Sequence, residues 1–300
     1  MWIMIAHLLQ GMLALDLLAL PTAQQDLESA VALAKNSGSL FWMRAVTSSL
    51  ALVFIAQQDF ARAENVLDTV CSPDMPCGTI AQRLSWCARA ELELARKHAD
   101  RALQIIDQLI ASAVHFEDGG VIPRLWYLRG QALFSLDRAE EAEAVLLAAK
   151  VTAQEQGMRP LLWRILVSLG RLYQAQARRD EAEEVFADAR TSIEDLTRNI
   201  SDEALRDNFI RCATPQIPVP RPRTPRQEAK QAFGGLTERE REVAALIAQG
   251  KSNRAVADEL FLSERTIGKH VERIMTKLGF NSRAQIAAWA VEKGLVEHSG

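Results

Sequence analysis

A period of about forty residues runs through the first two thirds of this sequence. Alanines that each follow a short polar stretch recur at intervals of 39, 40 and 40 residues, at Ala63, Ala102, Ala142 and Ala182. Apolar residues at helical spacing precede each alanine, over residues 40–56, 80–96, 123–136 and 160–176. Helical hairpins of this length bury their apolar faces only against the next hairpin. The period therefore predicts an all-α stack of about five hairpins.

Small residues mark the places where paired helices should cross closely. Gly130 and Gly170 are forty residues apart, each in the first helix of its hairpin. The first hairpin, over residues 2–36, lies outside the register of the other four, and a closing helix is predicted over residues 191–211. We interpret the tryptophans that also recur at about forty residues as core or groove positions; they are Trp42, Trp86, Trp126 and Trp163.

The first twenty residues are apolar enough to require a check for a membrane span. No basic residue precedes the run, and His7, Gln10 and Asp16 interrupt it. A signal peptide begins with a basic segment, and a membrane span carries few polar residues. The run therefore predicts a buried helix, no membrane partner and a cytoplasmic protein.

Composition changes sharply after the array. Residues 214–235 contain five of the ten prolines, which remove backbone donors and favour an extended chain. We therefore divide the chain into a helical repeat domain at residues 1–212, a Pro/Arg-rich linker at 213–234 and a C-terminal domain at 235–297. Residues 211–300 carry 15 basic and 10 acidic side chains, against 20 and 28 before them. Because phosphate attracts the basic part, the C-terminal end is the predicted nucleic-acid end.

The C-terminal domain has the pattern of a helix-turn-helix within four helices. Residues that cap helix N-termini precede each predicted helix, at Thr237, at Ser252 or Asn253, at Ser263 and at Ser282. Thr237 forms a capping box with Glu240, and glycines end the first and third helices. The predicted first helix spans residues 238–249 and the third spans 264–277.

The third helix separates its residues into two faces. One apolar stripe holds the helix on its neighbours, through Ile267, Val271, Ile274 and Leu278. The opposite face is polar and mostly cationic, with Arg265, Lys269, Glu272, Arg273 and Thr276, and Thr266 at its edge. A helix with such a face, after a short capped helix and a tight turn, has the geometry that enters a DNA major groove.

A set of residues at fixed spacing extends this pattern over most of the domain; it comprises Leu236-Thr237, Arg239-Glu240, Glu242-Val243, Gly250, Ser252-Asn253, Val256-Ala257, Leu260, Leu262-Ser263, Thr266-Ile267, His270-Val271, Ile274, Lys277-Leu278-Gly279 and Ser282-Arg283. With these residues the segment resembles the DNA-binding domain of LuxR-type transcription regulators. The resemblance implies a recognition helix that reads double-stranded DNA. Two positions depart from the family, in which basic residues are frequent at the places of Gly268 and Glu272.

The faces and the resemblance together assign candidate site residues. Those predicted to face bases or the groove are Arg265, Thr266, Lys269, Glu272 and Arg273. Those predicted to contact phosphate are Thr237, Ser252, Asn253, Arg254, Ser263, His270, Thr276 and Lys277. Glu272 can accept from a cytosine amino group or pair with Arg265 or Lys269 one turn away, and the pairing is the favoured interpretation. The family implies homodimer contacts by the fourth helix, at Ile286, Trp289 and Ala290.

The array in turn resembles tetratricopeptide repeats of the longer, MalT-like kind. The segment over residues 160–190 matches best, with small residues at Gly170 and Ala182 and aromatic residues at Tyr173 and Phe186. Large MalT-like regulators carry an ATP-binding domain ahead of their repeats. The sequence Gly250-Lys251-Ser252 lacks the earlier glycine and the preceding strand of a phosphate loop. No receiver-domain pattern of alternating strands and helices is present either.

Patterns for metal binding or catalysis are missing. The four cysteines have no paired C-x-x-C spacing, so we interpret them as reduced thiols, with a redox switch at Cys71 and Cys77 as the alternative. The five histidines are scattered, and none belongs to a catalytic motif. We predict no enzyme, no cofactor and no metal site.

The sequence predicts a bacterial-type transcription regulator that binds double-stranded DNA as a homodimer through its C-terminal domain. The repeats would bind RNA polymerase, or an effector that is either a protein or a small ligand. One alternative is an interaction scaffold whose helix-turn-helix is vestigial. Another is a fragment of a larger ATP-dependent regulator.

Overall fold

The computed structural model describes residues 1–113, 122–219 and 233–295. Two compact units divide the chain, at residues 1–219 and 220–300. Every regular element in the described ranges is helical. Residues 220–232 of the predicted linker and 296–297 of the predicted C-terminal domain lie outside these ranges.

The first unit is a stack of helical hairpins. Its helices, in chain order, are α1 (Trp2–Asp16), α2 (Leu20–Ser37), α3 (Leu40–Ala56), α4 (Phe60–Asp68), α5 (Ile80–Ala95), α6 (Ala99–Ala111), α7 (Pro123–Ser135), α8 (Ala139–Glu155), α9 (Arg159–Ala175), α10 (Arg179–Arg198) and α11 (Glu203–Ala213). Consecutive pairs from α1/α2 to α9/α10 form hairpins, and each packs on the next. The predicted hairpin stack is confirmed, because the four helices expected ahead of the alanines end within one residue of their predicted bounds.

The turn inside every hairpin has one conformation. Its first helix ends in a left-handed residue, with φ between 59° and 65°, at Leu18, Gln58, Lys97, Asp137 and Ala177. The next amide then donates backwards to a carbonyl five residues earlier, as Arg178 N does to Tyr173 O at 2.9 Å. This bond satisfies a carbonyl that the helix end leaves unpaired, so the turn is a Schellman motif.

Small residues bring the paired helices together in three hairpins. A Cβ on Gly11, Gly130 or Gly170 would meet a side chain of the following helix, namely Leu27, Leu146 or Phe186. The first hairpin was predicted to lie outside the common register, and this is wrong. Gly11 faces Leu27 over the same interval of sixteen residues as the other two pairs, and Ala23 is fully buried forty residues before Ala63.

The array closes on itself. Arg164 Nη2 on α9 donates to the carbonyl of Asp16 at the end of α1, at 3.1 Å. Asn208 Nδ2 on α11 donates to the carbonyl of Leu18 at 3.2 Å. The turn of the first hairpin therefore lies against the last hairpin and its closing helix.

The closing helix differs from the prediction of one helix over residues 191–211. Its first part belongs to α10, which ends at Arg198. A new helix, α11, begins after Asp202, which caps it by accepting from Leu205 N through Oδ1 at 2.9 Å. The first residues of the predicted linker also differ from an extended chain. Residues 214–216 form a 3₁₀ turn, and Ile217 is buried in the array core.

Helix α1 is buried on one face only, which corrects the prediction of a buried helix. Met4, Leu8, Gly11 and Ala14 point into the array. The other face exposes Trp2, Ile3, Leu9, Met12 and Leu13. Among the described helices none is long and apolar enough to cross a membrane.

The four cysteines are free thiols. Burial raises the pKa of Cys71, and burial and the charge of Glu91 raise the pKa of Cys87 to about 11. A raised pKa suppresses the reactive thiolate.

The second unit is a small helical domain over the described residues 233–295. Its helices are α12 (Glu238–Ala248), α13 (Asn253–Leu260), α14 (Glu264–Leu278) and α15 (Arg283–Glu292). They enclose one apolar core that includes Leu236, Val243, Val256, Ile267 and Ile286.

Candidate nucleic-acid interface

Helix α14 is held on the domain by its apolar stripe. Ile267, Val271 and Ile274 are buried, and Leu278 packs at the edge of the same core. The face turned away from the core is exposed at Arg265, Lys269, Glu272, Arg273 and Thr276, as its spacing predicts. The core therefore fixes which side chains of α14 reach solvent.

A tight turn joins α13 to α14. Phe261 adopts a left-handed conformation, with φ of 53°, and 94% of its surface is exposed. Leu262 N donates back to Ala257 O at 2.9 Å, and Ser263 then caps α14 by accepting from Thr266 N at 3.1 Å. The turn leaves the N-terminus of α14 and its first polar side chains at the surface.

Four cations at this end of the domain have no carboxylate partner among the described residues. They are Arg254, Arg265, Lys269 and Arg273, all of them exposed. Four other basic residues of the domain are held by acidic groups or carbonyls, namely Arg239, Lys251, Lys277 and Arg283. Such unpaired cations along one helix face make a positive surface whose charge is available to an external anion.

Lys277 was predicted to contact phosphate, and the structure gives it a partner inside the domain. Its Nζ lies 2.6 Å from Oε2 of Glu240, a carboxylate that is buried under α14. The same Oε2 accepts from the Thr237 backbone N–H at 2.8 Å and from its hydroxyl at 2.9 Å. Lys277 therefore joins α14 to α12.

The charge of Glu240 is stabilised in spite of its burial. Burial raises the pKa of this carboxyl, but the hydrogen bonds from Lys277 and Thr237 together hold the pKa below its ordinary value of 4.5. The carboxylate is ionised at neutral pH, so the ion pair with Lys277 is complete there.

The hydroxyls predicted to bind phosphate make hydrogen bonds within their own helices, at the N-cap for Ser252 and Ser263 and in the helix interior for Thr276. Ser252 accepts from Ala255 N at 3.3 Å, and Ser263 shares a bond of 2.7 Å with the Thr266 hydroxyl. Thr276 Oγ1 donates to the carbonyl of Glu272 at 2.9 Å. Each hydroxyl oxygen keeps a second lone pair at the surface.

Asn253 has a partner that sequence reasoning missed. Arg283, at the start of α15, donates to Asn253 Oδ1 at 2.7 Å and to the carbonyl of Lys251 at 2.5 Å. It therefore fixes the N-terminus of α13 on the fourth helix. The only signal in the sequence was the match of Ser282-Arg283 to the family pattern.

Two predictions concern side chains at the sides of α14. His270 is half-buried, and its Nδ1 is buried without a hydrogen-bond partner among the described residues. The favoured pairing of Glu272 with Arg265 or Lys269 is wrong, because no ion pair joins Glu272 to either residue. The carboxylate of Glu272 stays exposed on the outer face.

Gly268 lies inside α14 without a packing requirement. A Cβ built on it would meet no heavy atom within 4 Å. Its φ is that of an ordinary helix, so neither turn geometry nor a close neighbour demands glycine there. The helix surface is therefore open at Gly268, beside the exposed cations of α14.

The residues predicted for dimer contacts are divided by burial. Ile286 and Ala290 are fully buried in the core of their own domain, so the prediction that they contact a second copy does not fit their position. Trp289 is half-buried beside Gly234. The exposed face of α15 consists of other residues, among them Ala284, Ala288 and Val291.

Comparison with known families matches both units. Residues 235–290 match the model of bacterial regulatory proteins of the luxR family. Residues 123–150 match the tetratricopeptide repeat. The C-terminal unit is therefore a LuxR-type helix-turn-helix domain, and the array contains tetratricopeptide-type repeats.

Two relatives are similar to the C-terminal part of the chain. The DNA-binding transcriptional activator DevR/DosR of Mycobacterium tuberculosis (strain ATCC 25618 / H37Rv) is 38% identical over 65 residues, which are 22% of this chain and 30% of that protein. The oxygen regulatory protein NreC of Staphylococcus aureus (strain JH9) is 42% identical over 65 residues, with the same shares. The chain thus spans 30% of the length of these relatives.

Two solved structures are similar to part of this chain. A Podosopora anserina putative kinesin light chain with nearly identical TPR-like repeats has a TM-score of 0.42 and 17% sequence identity, covering 65% of this chain and 96% of that chain. A second structure, of a variant of the same repeat protein, has a TM-score of 0.43 with the same identity and coverage.

Proposed function

We propose that this protein is a transcription regulator that binds double-stranded DNA through the outer face of α14. The observation that carries the proposal is the row of exposed cations, Arg265, Lys269 and Arg273, which have no acidic partner within the described residues. Similarity of this domain to two regulators, one of them a DNA-binding transcriptional activator, supports it.

In the proposed complex α14 lies in the major groove with its N-terminus foremost. Arg265 and Lys269 are one turn apart on the exposed face, and Arg273 follows one turn later. Arginine and lysine recognise the acceptors on guanine edges, and any of the three also binds phosphate. Glu272 is the acceptor on the same face, and cytosine amino groups are the donors that suit it.

Phosphate contacts are proposed at the helix ends. Arg254 on α13 is exposed and unpaired within the described residues, so it is the strongest candidate. Ser252, Ser263 and Thr237 stand at helix N-termini, where backbone amides also face an anion. Lys277 and Asn253 already bind partners inside the domain, so we propose that they act indirectly, by fixing α14 and α13 in place for the other contacts.

We further propose a homodimer on an inverted repeat. Two copies of α14 would then enter the groove about one helical turn of DNA apart. The exposed alanines and Val291 on α15 form the candidate contact, with Trp289 at its edge. The array would act as the module that binds RNA polymerase, another protein or a small effector, in a cytoplasmic protein.

A scaffold without DNA recognition is the second candidate. Gly268 and Glu272 favour it, because neither side chain supplies the positive charge frequent at these positions in the family. The two candidates predict different results with random DNA. A regulator enriches one sequence motif over successive rounds of selection, and a scaffold enriches none.

The experiment is selection from random-sequence duplexes with the full chain, followed by titration of the enriched site at fixed salt. Lys269→Ala should weaken specific binding by about 1–3 kcal/mol. Lys150→Ala is the matched control, because that lysine lies in the array beside Asp188 at 3.4 Å. Unchanged affinity of Lys269→Ala for an enriched site would exclude α14 as the reading helix, and a selection without enrichment would favour the scaffold.

A further inference from the structure

A partly open cavity of about 510 Å³ lies along the inner wall of the array. The first helices of the later hairpins, α3, α5, α7 and α9, line it together with the end of α1. Leucines such as Leu94, Leu128 and Leu161 form an apolar part of the wall. The volume falls in the range of pockets that hold drug-sized molecules.

Residues from both ends of the array line this cavity, among them Asp16 and Arg164. The bond from Arg164 to the Asp16 carbonyl joins α9 to α1, which are separated by nearly the whole array in sequence. The distance from Arg164 Nη1 to the nearest carboxylate oxygen, Asp16 Oδ1, is 3.7 Å. The volume of this partly open cavity suits a small molecule.

The polar part of the wall carries more positive than negative groups. Three arginines line it, Arg124, Arg164 and Arg171, against two carboxylates, Asp16 and Glu91. One pair is close, since Arg124 donates to Glu91 Oε1 through Nη2 at 2.6 Å and through Nε at 3.0 Å. These bonds leave Nη1 of Arg124 uncommitted to Glu91, so part of this guanidinium still has donor capacity.

Arg164 is the less compensated cation. Its Nη1 and Nη2 donate to backbone carbonyls, those of Pro160 at 2.5 Å and Asp16 at 3.1 Å. Burial lowers its pKa, and the charge of Asp16 offsets this only in part. Because its hydrogen-bond partners are neutral carbonyls and the Asp16 carboxylate lies 3.7 Å away, a further anion beside Arg164 would stabilise its charge.

We propose that this cavity binds one small organic anion, with its charged group at Arg124 and Arg164 and its apolar body against the leucines. Tyr127 and Ser168 line the same part of the wall and supply hydroxyls for a second polar group. The site resides wholly in the array. An effector role for the bound anion rests on the proposed function. Binding of the anion does not depend on that function, so the test measures binding alone.

The test uses two probes with the same aromatic body. The dye 8-anilino-1-naphthalenesulfonate carries one negative charge, and N-phenyl-1-naphthylamine carries none. Each is titrated into the full chain, and the fluorescence gain gives its affinity and stoichiometry. We expect one sulfonate dye bound per chain, and a weaker affinity for the neutral probe.

The decisive variant removes the cation and its own partner together. Arg124→Met with Glu91→Gln leaves no buried charge unpaired, and Arg164→Met is the second, independent variant. Each variant should lower the affinity for the sulfonate dye by about tenfold or more, because a charge-assisted hydrogen bond is lost. The affinity for the neutral probe should fall by less than about twofold. The matched control is Arg129→Met with Asp107→Asn. Arg129 lies on the same helix as Arg124, and its ion pair of 2.8 Å with Asp107 of α6 does not line the cavity. This control should change neither affinity.

Three results would overturn the proposal. The dye could bind as before in both cavity variants, which would place it elsewhere, for example on the exposed apolar face of α1. The two probes could lose affinity equally, which would make the cavity a neutral apolar pocket. The last check uses salt and needs no variant. Because salt screens charges, 0.5 M salt should lower the affinity for the sulfonate dye and leave the affinity for the neutral probe unchanged. Equal responses of the two probes to salt would contradict an ionic site.

Discussion

Arginines of the array and of α14 have opposite surroundings. In the array Arg96 donates to both oxygens of Glu64, at 2.8 and 2.7 Å, and Arg178 lies 2.5 Å from Glu143 of the preceding hairpin. On α14 neither Arg265 nor Arg273 has an acidic partner in the described residues. Paired arginines fix one helix on another. Unpaired ones repel each other along the helix face and leave their charge to an external anion.

The same contrast holds for glycines inside helices. Gly170 of α9 has no room for a side chain, because a Cβ would come within 2.6 Å of Cδ1 of Phe186. Gly268 of α14 has open space around its missing Cβ. One glycine thus serves packing in the array, and the other leaves a gap in an exposed face. Substitutions in the two units should therefore have different consequences.

The largest effect is expected where α14 itself carries a paired cation. Glu240→Gln removes the buried partner of Lys277 and weakens the capping box of α12. We expect the C-terminal unit to lose about 2–3 kcal/mol of stability. Hydrogen exchange followed by mass spectrometry measures this in the full chain, since peptides of α12 to α15 should exchange faster while those of the array do not.

Acid should reproduce this loss in the unchanged protein. Because the pKa of Glu240 is lowered in the folded domain, its contribution is complete above the ordinary value of 4.5 and disappears as pH falls through the lower folded value. Glu240→Gln should abolish that part of the pH dependence. If the variant and the parent lost stability in parallel on acidification, Glu240 would not be the responsible group.

The next effect should appear in the array. Gly170→Ala forces the new methyl group into the ring of Phe186, and we expect a loss of about 1–3 kcal/mol. The rescue is Gly170→Ala with Phe186→Ile, which reproduces the Ala90 and Ile106 that occupy the same register in α5 and α6. Chemical denaturation measures both variants. A single variant as stable as the parent would show that α9 and α10 can separate without cost.

Removing an arginine should lower DNA affinity in the C-terminal unit and lower stability in the array. Arg273→Ala should lower the affinity for a selected DNA site by about 1–3 kcal/mol, lower the salt dependence by about one ion, and leave stability unchanged. Arg96→Ala should do the reverse and destabilise the array by about 0.5–1 kcal/mol. DNA titrations at several salt concentrations, with thermal unfolding of both variants, test this. If Arg273→Ala destabilised its unit, the comparison of paired and unpaired cations would fail.

Local signals predicted most of the fold. Capping residues such as Ser263 and the alanine period fixed the helices, because both act within a few residues of one another. The register of the first hairpin was missed. Gly11 and Ala23 are small residues at the expected positions, but the polar stretch that precedes the alanine in the other units is absent there. The break at Asp202 was missed for a similar reason, because helical periodicity continues on both sides of it.

Contacts between distant residues could not be predicted in this way. The bond from Arg164 to Asp16 depends on the pitch of the whole stack, which helix spacing does not contain. At the site, the outer face of α14 followed from its period. The pairing of Lys277 with Glu240 did not, because helix periodicity shows which face a residue occupies but not which element packs there.

The smallest predicted change is a gain. Gly268→Ala places a methyl group in open space and removes a helix-interior glycine, so the C-terminal unit should become more stable by about 0.5–1 kcal/mol. The same substitution at Gly170 destabilises the array, which makes the two variants controls for each other in one denaturation experiment. DNA affinity should rise slightly or stay constant if the gap merely lacks a contact. A clear fall in affinity with a more stable domain would instead show that the duplex approaches the α14 backbone at Gly268, and would make that glycine part of the reading surface.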